Sequence, residues 1–398
     1  MTLGADPLLR DGVDGTVVLI VVGKTLATFA LLLLLVLFYI WFMRKVIADM
    51  QNRIGPDQAG PFGMLQTLAD GIKLFFKEPS IPDGADRTVF RLAPYLAAVP
   101  AFVAFSIVPI GGEVSIAGHR TYLQLVEVPV GILVLLACSG IGLYGVMLAG
   151  WASGSKYPLL GSVRASAQML SYEAAFSLAI LGALVQAGSL STRDIVDAQA
   201  WRGVSSIVTD WFAIPALVAF VIFLVAAIAE TNHPPFDLVE AEQELVGGFN
   251  TEYTGIRFAI FYLAEFMNLI TMCAIAVTLF LGGPSGPGLG FLAATHPLNT
   301  WVMPVVWFML KLGVLLYGTV WIRASLPRLR YDQLMNLGWR WLIELAFLWV
   351  MASGVIVVAR EQGWNRWMVV PAVAAGFLAV LGLLRASMPR PGEIEEWV

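Results

Sequence analysis

The sequence predicts an all-α fold, a polytopic bundle of transmembrane helices, and its bulk composition is the first reason. The chain has 398 residues, of which 58% are hydrophobic and only 13% are charged, and its mean hydropathy is +0.78. Soluble domains carry about 25% charged residues. A soluble fold of this size could not hide so much apolar surface from water, whereas a bilayer accommodates it because apolar side chains are the compatible surface there.

Nine apolar stretches are the second reason, because each is long enough to cross the hydrocarbon core as a helix, which takes about 20 residues. They lie near 16–43, 92–110, 126–151, 163–186, 211–229, 255–283, 300–322, 341–359 and 368–386. The last is glycine-rich and has Pro371 in its first turn. We find no tandem repeat and no separate polar domain, so the sequence predicts a single integral membrane domain over residues 1–398.

Basic residues lie mainly in alternate connections, which predicts the orientation. The first connection and the seventh are rich in lysine and arginine, whereas the sixth (283–299) has no charge. Because basic loops stay in the cytoplasm, we expect a multi-pass protein of the cell (plasma) membrane with its N-terminus outside and its C-terminus in the cytoplasm. The stretch 16–43 is too long for a cleavable signal sequence, so we expect it to remain as the first span.

The first connection, 44–91, contains a candidate surface helix at 61–78. Its apolar residues recur at helical spacing, which favours a helix lying on the membrane; a helix packed on another protein is the alternative, and the two can coexist. Gly55-Pro56 and Gly60-Pro61 are turn signals that would fold the segment back against the membrane. Arg44, Arg53 and Asp70 would then flank an apolar helix, as a passage for a lipophilic quinone would require. The alternative is that the arginines only set the topology.

The fifth connection, 230–254, carries a run of carboxylates with no lysine or arginine to pair them. They are Glu230, Asp237, Glu240, Glu242, Glu244 and Glu252. Like charges held close together raise one another's pKa, so this loop is a candidate proton-loading site. The alternative is an ordinary solvated acidic loop. His233, which precedes Pro234-Pro235, is expected to be structural.

Ionisable residues inside the predicted spans include Glu173, Glu265 and Lys311. A charge at the bilayer centre costs roughly 2.5–3.5 kcal/mol even on a lenient scale, so such residues face a protein interior or water and often form proton relays. The alternative is a buried ion pair or an interhelical hydrogen bond.

The two cysteines and three histidines exclude several classes of site. Cys138 and Cys273 lie in separate apolar runs, whereas an iron–sulfur cluster needs about four thiolates and a zinc site needs clustered ligands. Redox chemistry linked to this chain would therefore use a cofactor held elsewhere. The net charge of -4 gives no basic footprint for nucleic acid.

Four segments resemble the quinone-site membrane subunit of respiratory complex I, the proton-pumping NADH:quinone oxidoreductase. RIGPDQAGPFGMLQTLADGIKLFFKE (53–78) and AETNHPPFDLVEAEQELVGGFNTEY (229–253) are similar to the two signatures of that family. GWASGSKYPLLGSVRASAQMLSYE (150–173) and WIRASLPRLRYDQLMNLGWR (321–340) also match, and the four occur in family order. Together they cover about a quarter of the chain and are spread over most of its length.

This resemblance implies roles that composition does not show. The chain would form the membrane half of a quinone chamber closed by soluble subunits, and the iron–sulfur clusters and FMN would belong to partners, which would also include antiporter-like and small membrane subunits. This chain alone would hold no cofactor and no complete catalytic site. Arg44, Arg53, Asp70 and Arg323 would line or support the quinone passage. The glutamate-rich axis that links quinone reduction to proton movement would contain Glu173, Glu230, Glu240, Glu242, Glu244, Glu252 and Glu265.

The chain departs from the family pattern at two places. Met43 stands where the family often has a glutamate before Arg44-Lys45, which removes one carboxylate from the chamber entrance. Residues 360–398 look like an extra span and acidic tail on an eight-span core. Two other functions remain open: a homologous subunit of a membrane-bound hydrogenase-type complex, and a secondary transporter, although transporters usually show internal repeats.

Overall fold

The computed structural model describes residues 6–9, 12–203, 210–238, 246–288, 296, 298–364 and 366–387, and helices account for most of them. The α-helices are α1 (Gly15–Met50), α2 (Gln66–Phe76), α3 (Arg87–Ser106), α4 (Gly131–Ala152), α5 (Lys156–Ala187), α6 (Thr192–Ala198), α7 (Leu217–Glu230), α8 (Gly255–Phe280), α9 (Met303–Ser325), α10 (Tyr331–Leu337), α11 (Ile343–Glu361) and α12 (Arg366–Ser387). Short 3-10 turns lie at Pro7–Leu9, Pro61–Gly63 and Gly248–Asn250, and π turns at Leu298–Val302 and Gly338–Leu342.

The predicted polytopic helical fold is confirmed, because seven helical stretches of the described chain are long and apolar enough to cross a membrane. They coincide with the predicted first four, sixth, seventh and eighth spans. Helix α1 has 36 residues, which at about 1.5 Å per residue is about 54 Å, well beyond a hydrocarbon core of about 30 Å. At the predicted ninth position, α12 (Arg366–Ser387) contains an apolar stretch, Pro371–Leu383, that is shorter than these seven.

The fifth predicted span, 211–229, is shorter in the structure than in the sequence pattern. Helix α7 has 14 residues, or about 21 Å. The segment before it does not continue the helix because its backbone amides bond elsewhere. Phe212 N–H donates to the Gln199 side chain (3.1 Å), and Ala213 N–H donates to the Phe280 carbonyl (2.8 Å). The chain is therefore tied to the end of α8 before the helix begins.

Helix α5 lies at the centre of the packing, against α4, α7 and α11, and α3 packs between α4 and α8. Large side chains fill the interfaces: Tyr172, Phe176 and Phe223 are fully buried. Since successive spans run in opposite directions, the connections 51–86, 231–254 and 326–330 share one end of the bundle. We call this the acidic-loop end, and the other the opposite end.

A two-stranded antiparallel hairpin, which the helix pattern did not predict, lies at the opposite end between α3 and α4. Strand β1 (Glu113–Ile116) pairs with β2 (His119–Tyr122), with Ile116 opposite His119. Ala117 and Gly118 both have positive φ (51° and 85°), the conformation of a tight two-residue hairpin turn. The hairpin is connected to α1 because Lys24 Nζ donates to Thr121 Oγ1 (2.9 Å).

Candidate functional site

The first connection turns back on itself at Pro61–Gly63, as its Gly-Pro signals predict. Gly63 has φ = +74°, and a Cβ there would collide with the Pro56 carbonyl. Only glycine fits such a place without strain. The turn is also held to α1, because Trp41 Nε1 donates to the Phe62 carbonyl at 3.0 Å. Helix α2 therefore returns alongside the end of α1.

Helices α1, α2 and α8 enclose an apolar space of about 710 Å³, which we call the groove. Gly255, at the start of α8, has φ = +60°, and a Cβ there would lie 2.8 Å from the Lys77 carbonyl, so a glycine lets α8 approach the end of α2 closely. The groove is lined by Val36, Leu37, Ile40, Arg44, Thr67, Leu68, Asp70, Gly71, Ile72, Lys73, Leu74, Phe75, Phe76, Ile256, Phe258, Ala259, Tyr262 and Leu263.

The charged groups of the groove, Arg44, Asp70 and Lys73, belong to one ion-pair network. Arg44 Nη1 donates to Asp70 Oδ2 at 2.6 Å, Gln66 donates to the same carboxylate at 3.2 Å, and Lys73 Nζ lies 3.7 Å from it. Burial raises the pKa of Asp70, but Arg44, Gln66 and Lys73 more than offset this and hold the pKa below its ordinary value of 3.8. Asp70 is therefore ionised at neutral pH, and the pairing is lost only as the pH falls through that lowered pKa.

Two of the four predicted quinone-passage residues, Arg44 and Asp70, thus meet in the groove, and the other two lie elsewhere. Arg53 is exposed, and its Nε donates to the Gln51 side chain at 2.7 Å. Arg323, at the end of α9, contacts Met43 instead, with 3.3 Å between Nη1 and Sδ.

The Met43–Arg323 contact predicts that position 43 tolerates a carboxylate better than a second cation. Met43 is buried, so Met43→Glu would place a carboxylate beside the guanidinium, whereas Met43→Lys would place a second cation there. Burying an unpaired charge costs several kcal/mol. We expect the glutamate variant to reach the wild-type amount of membrane-inserted, assembled protein and the lysine variant to fall at least about fivefold, since a few kcal/mol changes abundance several-fold. Quantitative immunoblotting of membranes measures both, and equal amounts of the two variants would contradict the pairing.

A second, smaller cavity of about 60 Å³ lies deeper in the bundle, among α3, α4, α5, α7 and α8. We call it the carboxylate cavity because Glu230 and Glu265 both line it. Ser139, Asn232 and Asn268 supply further polar groups. A polar space larger than about 10–15 Å³ can hold a water molecule, so this cavity can hold a few.

Glu230 is the more deeply buried of the two, with 5% of its surface exposed. Its Oε1 accepts a hydrogen bond from the Ser139 hydroxyl, and its Oε2 has no hydrogen-bond partner among the described residues. Glu173 on α5 reaches the same part of α4, because its Oε1 lies 3.6 Å from the position that a Cβ on Gly140, the residue after Ser139, would take. The predicted intramembrane glutamates thus gather with the first residue of the acidic loop.

The rest of the predicted acidic set is divided. Asp237 Oδ2 accepts from Arg328 at 3.0 Å, so this carboxylate has a cationic partner that the loop itself lacks. Glu252 is half-buried in the loop before α8. The other three members lie outside the described residues: Glu240, Glu242 and Glu244.

Interhelical hydrogen bonds hold the start of the acidic loop in place. Gln168 on α5 is fully buried, and its amide donates to the carbonyls of Ala229 (2.8 Å) and Phe236 (2.9 Å). Leu329 N–H donates to the Pro235 carbonyl at 3.1 Å. A buried amide with two carbonyl partners fixes the backbone at both ends of the turn, which places Glu230 at the cavity.

His233, which the sequence predicts to be structural, lies beside Glu265, one of the predicted site residues. Its Nδ1 lies 3.0 Å from Glu265 Oε1 and 3.0 Å from the Thr231 carbonyl. The two partners lie on different elements, so no spacing in the sequence signals the pair. The one signal that the sequence offers is that His233, a titratable residue, lies in the acidic loop that precedes the span containing Glu265.

Lys311, predicted to belong to the proton path, donates hydrogen bonds to backbone carbonyls at the end of α8 that lies away from Glu265. Its Nζ donates to the carbonyls of Leu281 (2.6 Å), Gly283 (2.9 Å) and Ser285 (2.6 Å), and it lies 4.2 Å from the centre of the Trp211 ring. Leu281 is about 24 Å along the helix axis from Glu265, at about 1.5 Å per residue. Lys311 therefore caps the C-terminal end of α8, where a cation is favourable.

Lys311→Met is expected to destabilise the protein without removing a proton carrier. Methionine fills a similar volume but leaves three carbonyl groups without their donor, and each buried group left unpaired costs about 1–3 kcal/mol. We expect a lower thermal-unfolding midpoint in detergent, with the proton yield per electron unchanged in assembled complex. A variant of normal thermal stability that fails to pump would instead place Lys311 in the proton path.

Residues 23–354 match the sequence model of the family described as NADH dehydrogenase. The chain belongs to this family. Among its relatives, the H subunit of the NADH-quinone oxidoreductase of Frankia casuarinae is 48% identical over 395 residues, covering 98% of this chain and 85% of the relative. The protein of the same name from Frankia alni is 49% identical over 366 residues, covering 91% of this chain and 78% of the relative. The resemblance stated from the motifs is thereby confirmed for nearly the full chain.

Proposed function

We propose that this chain, as a membrane subunit of an NADH-quinone oxidoreductase, admits the quinone from the bilayer and carries part of the path that couples quinone reduction to proton movement. Family membership and the near full-length match to relatives of that name support the enzyme class. The observation that carries the finer proposal is the juxtaposition of the groove and the carboxylate cavity on the two sides of α8.

The groove has the features that a quinone passage needs. A long isoprenoid tail requires a continuous apolar surface, and the head group requires a few polar groups to orient it. The groove supplies the first with aliphatic and aromatic side chains of three helices and the second with the Arg44–Asp70 pair and Tyr262. The exposed apolar side chains of α2, including Phe75 and Phe76 (68% and 85% exposed), extend this surface towards the lipid.

The carboxylate cavity has the features that a proton path needs. Membrane-buried carboxylates that share a polar cavity with room for water form relays, because each can hold a proton and pass it through water or a hydroxyl. Glu230, Ser139 and Glu265 meet this description, and Glu173 continues the set along α5. We therefore propose that Glu173, Glu230 and Glu265 belong to the coupling path. Glu230 is the point at which the path meets the acidic loop.

We further propose that the FMN and iron–sulfur clusters belong to soluble partner subunits, which dock at the acidic-loop end. Antiporter-like membrane subunits would lie beside this chain in the membrane and respond to proton movement in the coupling path. In the plasma membrane, the acidic-loop end faces the cytoplasm, in agreement with the basic residues that surround it, Arg44, Lys45, Arg328 and Arg330.

Photolabelling of the purified complex with a short-chain azidoquinone tests the quinone passage. The expected label lies on peptides that contain Val36–Arg44, Thr67–Phe76 or Ile256–Leu263, and excess unlabelled quinone should prevent it. Labelling of this chain confined to peptides outside the groove would contradict the proposal. Mass spectrometry of the same preparation identifies the accompanying subunits, and nickel–iron hydrogenase subunits among them would indicate the hydrogenase-type complex instead.

A further inference from the structure

We propose that His233 is a positioning residue for Glu265: its imidazole holds the Glu265 carboxylate at the carboxylate cavity, and its contact with Phe266 ties this pair to the wall of the groove. This inference rests on the proposed function and adds a residue to it. The acidic loop thus contributes a buried hydrogen-bond donor as well as carboxylates.

The geometry of the pair gives His233 a defined hydrogen-bonding role. The side chain is 4% exposed, and its Nδ1 lies 3.0 Å from both Glu265 Oε1 and the Thr231 carbonyl oxygen. A carbonyl oxygen and an ionised carboxylate oxygen only accept hydrogen bonds. The hydrogen therefore belongs on Nδ1, where it is shared between the two oxygens, and the backbone of Thr231 orients the ring towards Glu265.

Hydrogen bonding to a buried donor gives the carboxylate a defined direction. Glu265 is 23% exposed and lines the carboxylate cavity, so a donor held beside it keeps its oxygens at the cavity. Among the described residues, Glu265 on α8 is the titratable group in contact with His233, and Glu230, at the end of α7, lines the same cavity as Glu265. In its own connection, Asp237 is paired with Arg328.

Aromatic contacts connect the pair to the groove. Phe266 follows Glu265 on α8 and is 1% exposed. Its ring lies edge-on to the His233 ring, with centroids 5.2 Å apart, and edge-on to Tyr262, with centroids 4.8 Å apart. Tyr262 lines the groove. Because interiors are close-packed, a shift of Tyr262 as a head group enters displaces Phe266, and with it the ring that orients Glu265.

Four variants of His233 and Glu265 separate this role from a merely structural one. His233→Leu removes the hydrogen-bond donor, and His233→Arg keeps a donor in the form of a guanidinium group. Glu265→Gln removes the carboxylate, and the double variant His233→Leu/Glu265→Gln tests whether the two residues act as one unit. His119→Leu, at the opposite end, is the matched control. Each is assayed in membranes for NADH oxidation by ferricyanide, coupled NADH:quinone turnover and proton uptake, between pH 6 and 8.5.

We expect His233→Leu to lower coupled turnover at least about tenfold while the ferricyanide rate, which reports assembly, stays unchanged. Residues that act as a unit are non-additive, so the double variant should be no worse than Glu265→Gln alone. His233→Arg should restore most of the turnover, because its guanidinium group can donate a hydrogen bond to the Glu265 carboxylate in place of the imidazole.

Wild-type turnover in His233→Leu, or additive losses in the double variant, would overturn the proposal. If His233→Leu fails to assemble, His233→Arg decides: an assembled arginine variant with turnover as low as Glu265→Gln would also overturn it. Glu230→Gln in the same assay tests the proposed proton path separately. Normal pumping in Glu230→Gln would exclude Glu230 from the proton path, whereas loss of pumping in Glu230→Gln with normal turnover in His233→Leu would overturn only the role of His233.

Discussion

Glu230→Gln is expected to lower coupled NADH:quinone turnover and proton pumping at least about tenfold, since a positioned acid–base group contributes about 10²–10⁴-fold. Glutamine keeps the shape of the side chain, and its amide oxygen can still accept from the Ser139 hydroxyl. The amount of assembled complex should therefore not change. What disappears is the ability of this position, which is only 5% exposed, to take up and release a proton.

The measurement is proton uptake by inverted membrane vesicles per NADH oxidised, with ferricyanide reduction as the assembly control. Glu344→Gln is a matched control, because Glu344 is a half-buried glutamate in the first turn of α11 and does not line the carboxylate cavity. Wild-type pumping in Glu230→Gln would exclude this residue as a proton carrier. Equal losses in both variants would indicate a general sensitivity of the bundle to removing a carboxylate.

Gly71→Phe is expected to obstruct the groove and to raise the apparent KM for quinone at least about tenfold, which corresponds to about 1.4 kcal/mol of binding free energy. Gly71 lines the groove, and no atom outside its own helix turn lies within 4 Å of the position its Cβ would take. The phenyl ring can therefore enter the groove without displacing backbone. Phenylalanine is a better helix former than glycine in a helix interior, so α2 itself should not be weakened.

Steady-state kinetics with quinones of short and long tail measure this effect, and the long-tail quinone should be affected more because its tail fills more of the passage. Gly313→Phe is the matched control: Gly313 is an exposed helix glycine of α9 with the same open space, and it does not line the groove. An unchanged KM for every tail length in Gly71→Phe would mean that the quinone enters elsewhere.

The fold class was predictable because hydropathy is a local property of the chain. A stretch such as 255–283 indicates a span whatever its neighbours are, and α8 (Gly255–Phe280) lies there. The length of α7 was not predictable, because the bonds that stop Phe212 and Ala213 from joining the helix go to Gln199 and to the end of α8, which are remote in sequence.

The candidate site was predictable in its residue types and only partly in its arrangement. Charge in an apolar run marks Glu265 as a functional candidate, and turn signals mark the segment that brings Asp70 to Arg44. Lys311 carries the same signal as Glu265, yet it satisfies three carbonyls at the opposite end of α8. The sequence does not distinguish these two cases, because both place an ionisable group inside a predicted span.

By itself, the sequence determined the membrane-embedded helical class, the family through its motifs, and the short list of ionisable residues that a bilayer would not tolerate without partners. Only the tertiary structure decided which of them meet. Glu230 joins Ser139 and Glu265 joins His233 because the rotation and depth of each helix follow from side-chain packing over the whole bundle. Those contacts depend on several helices at once, and no single segment encodes them.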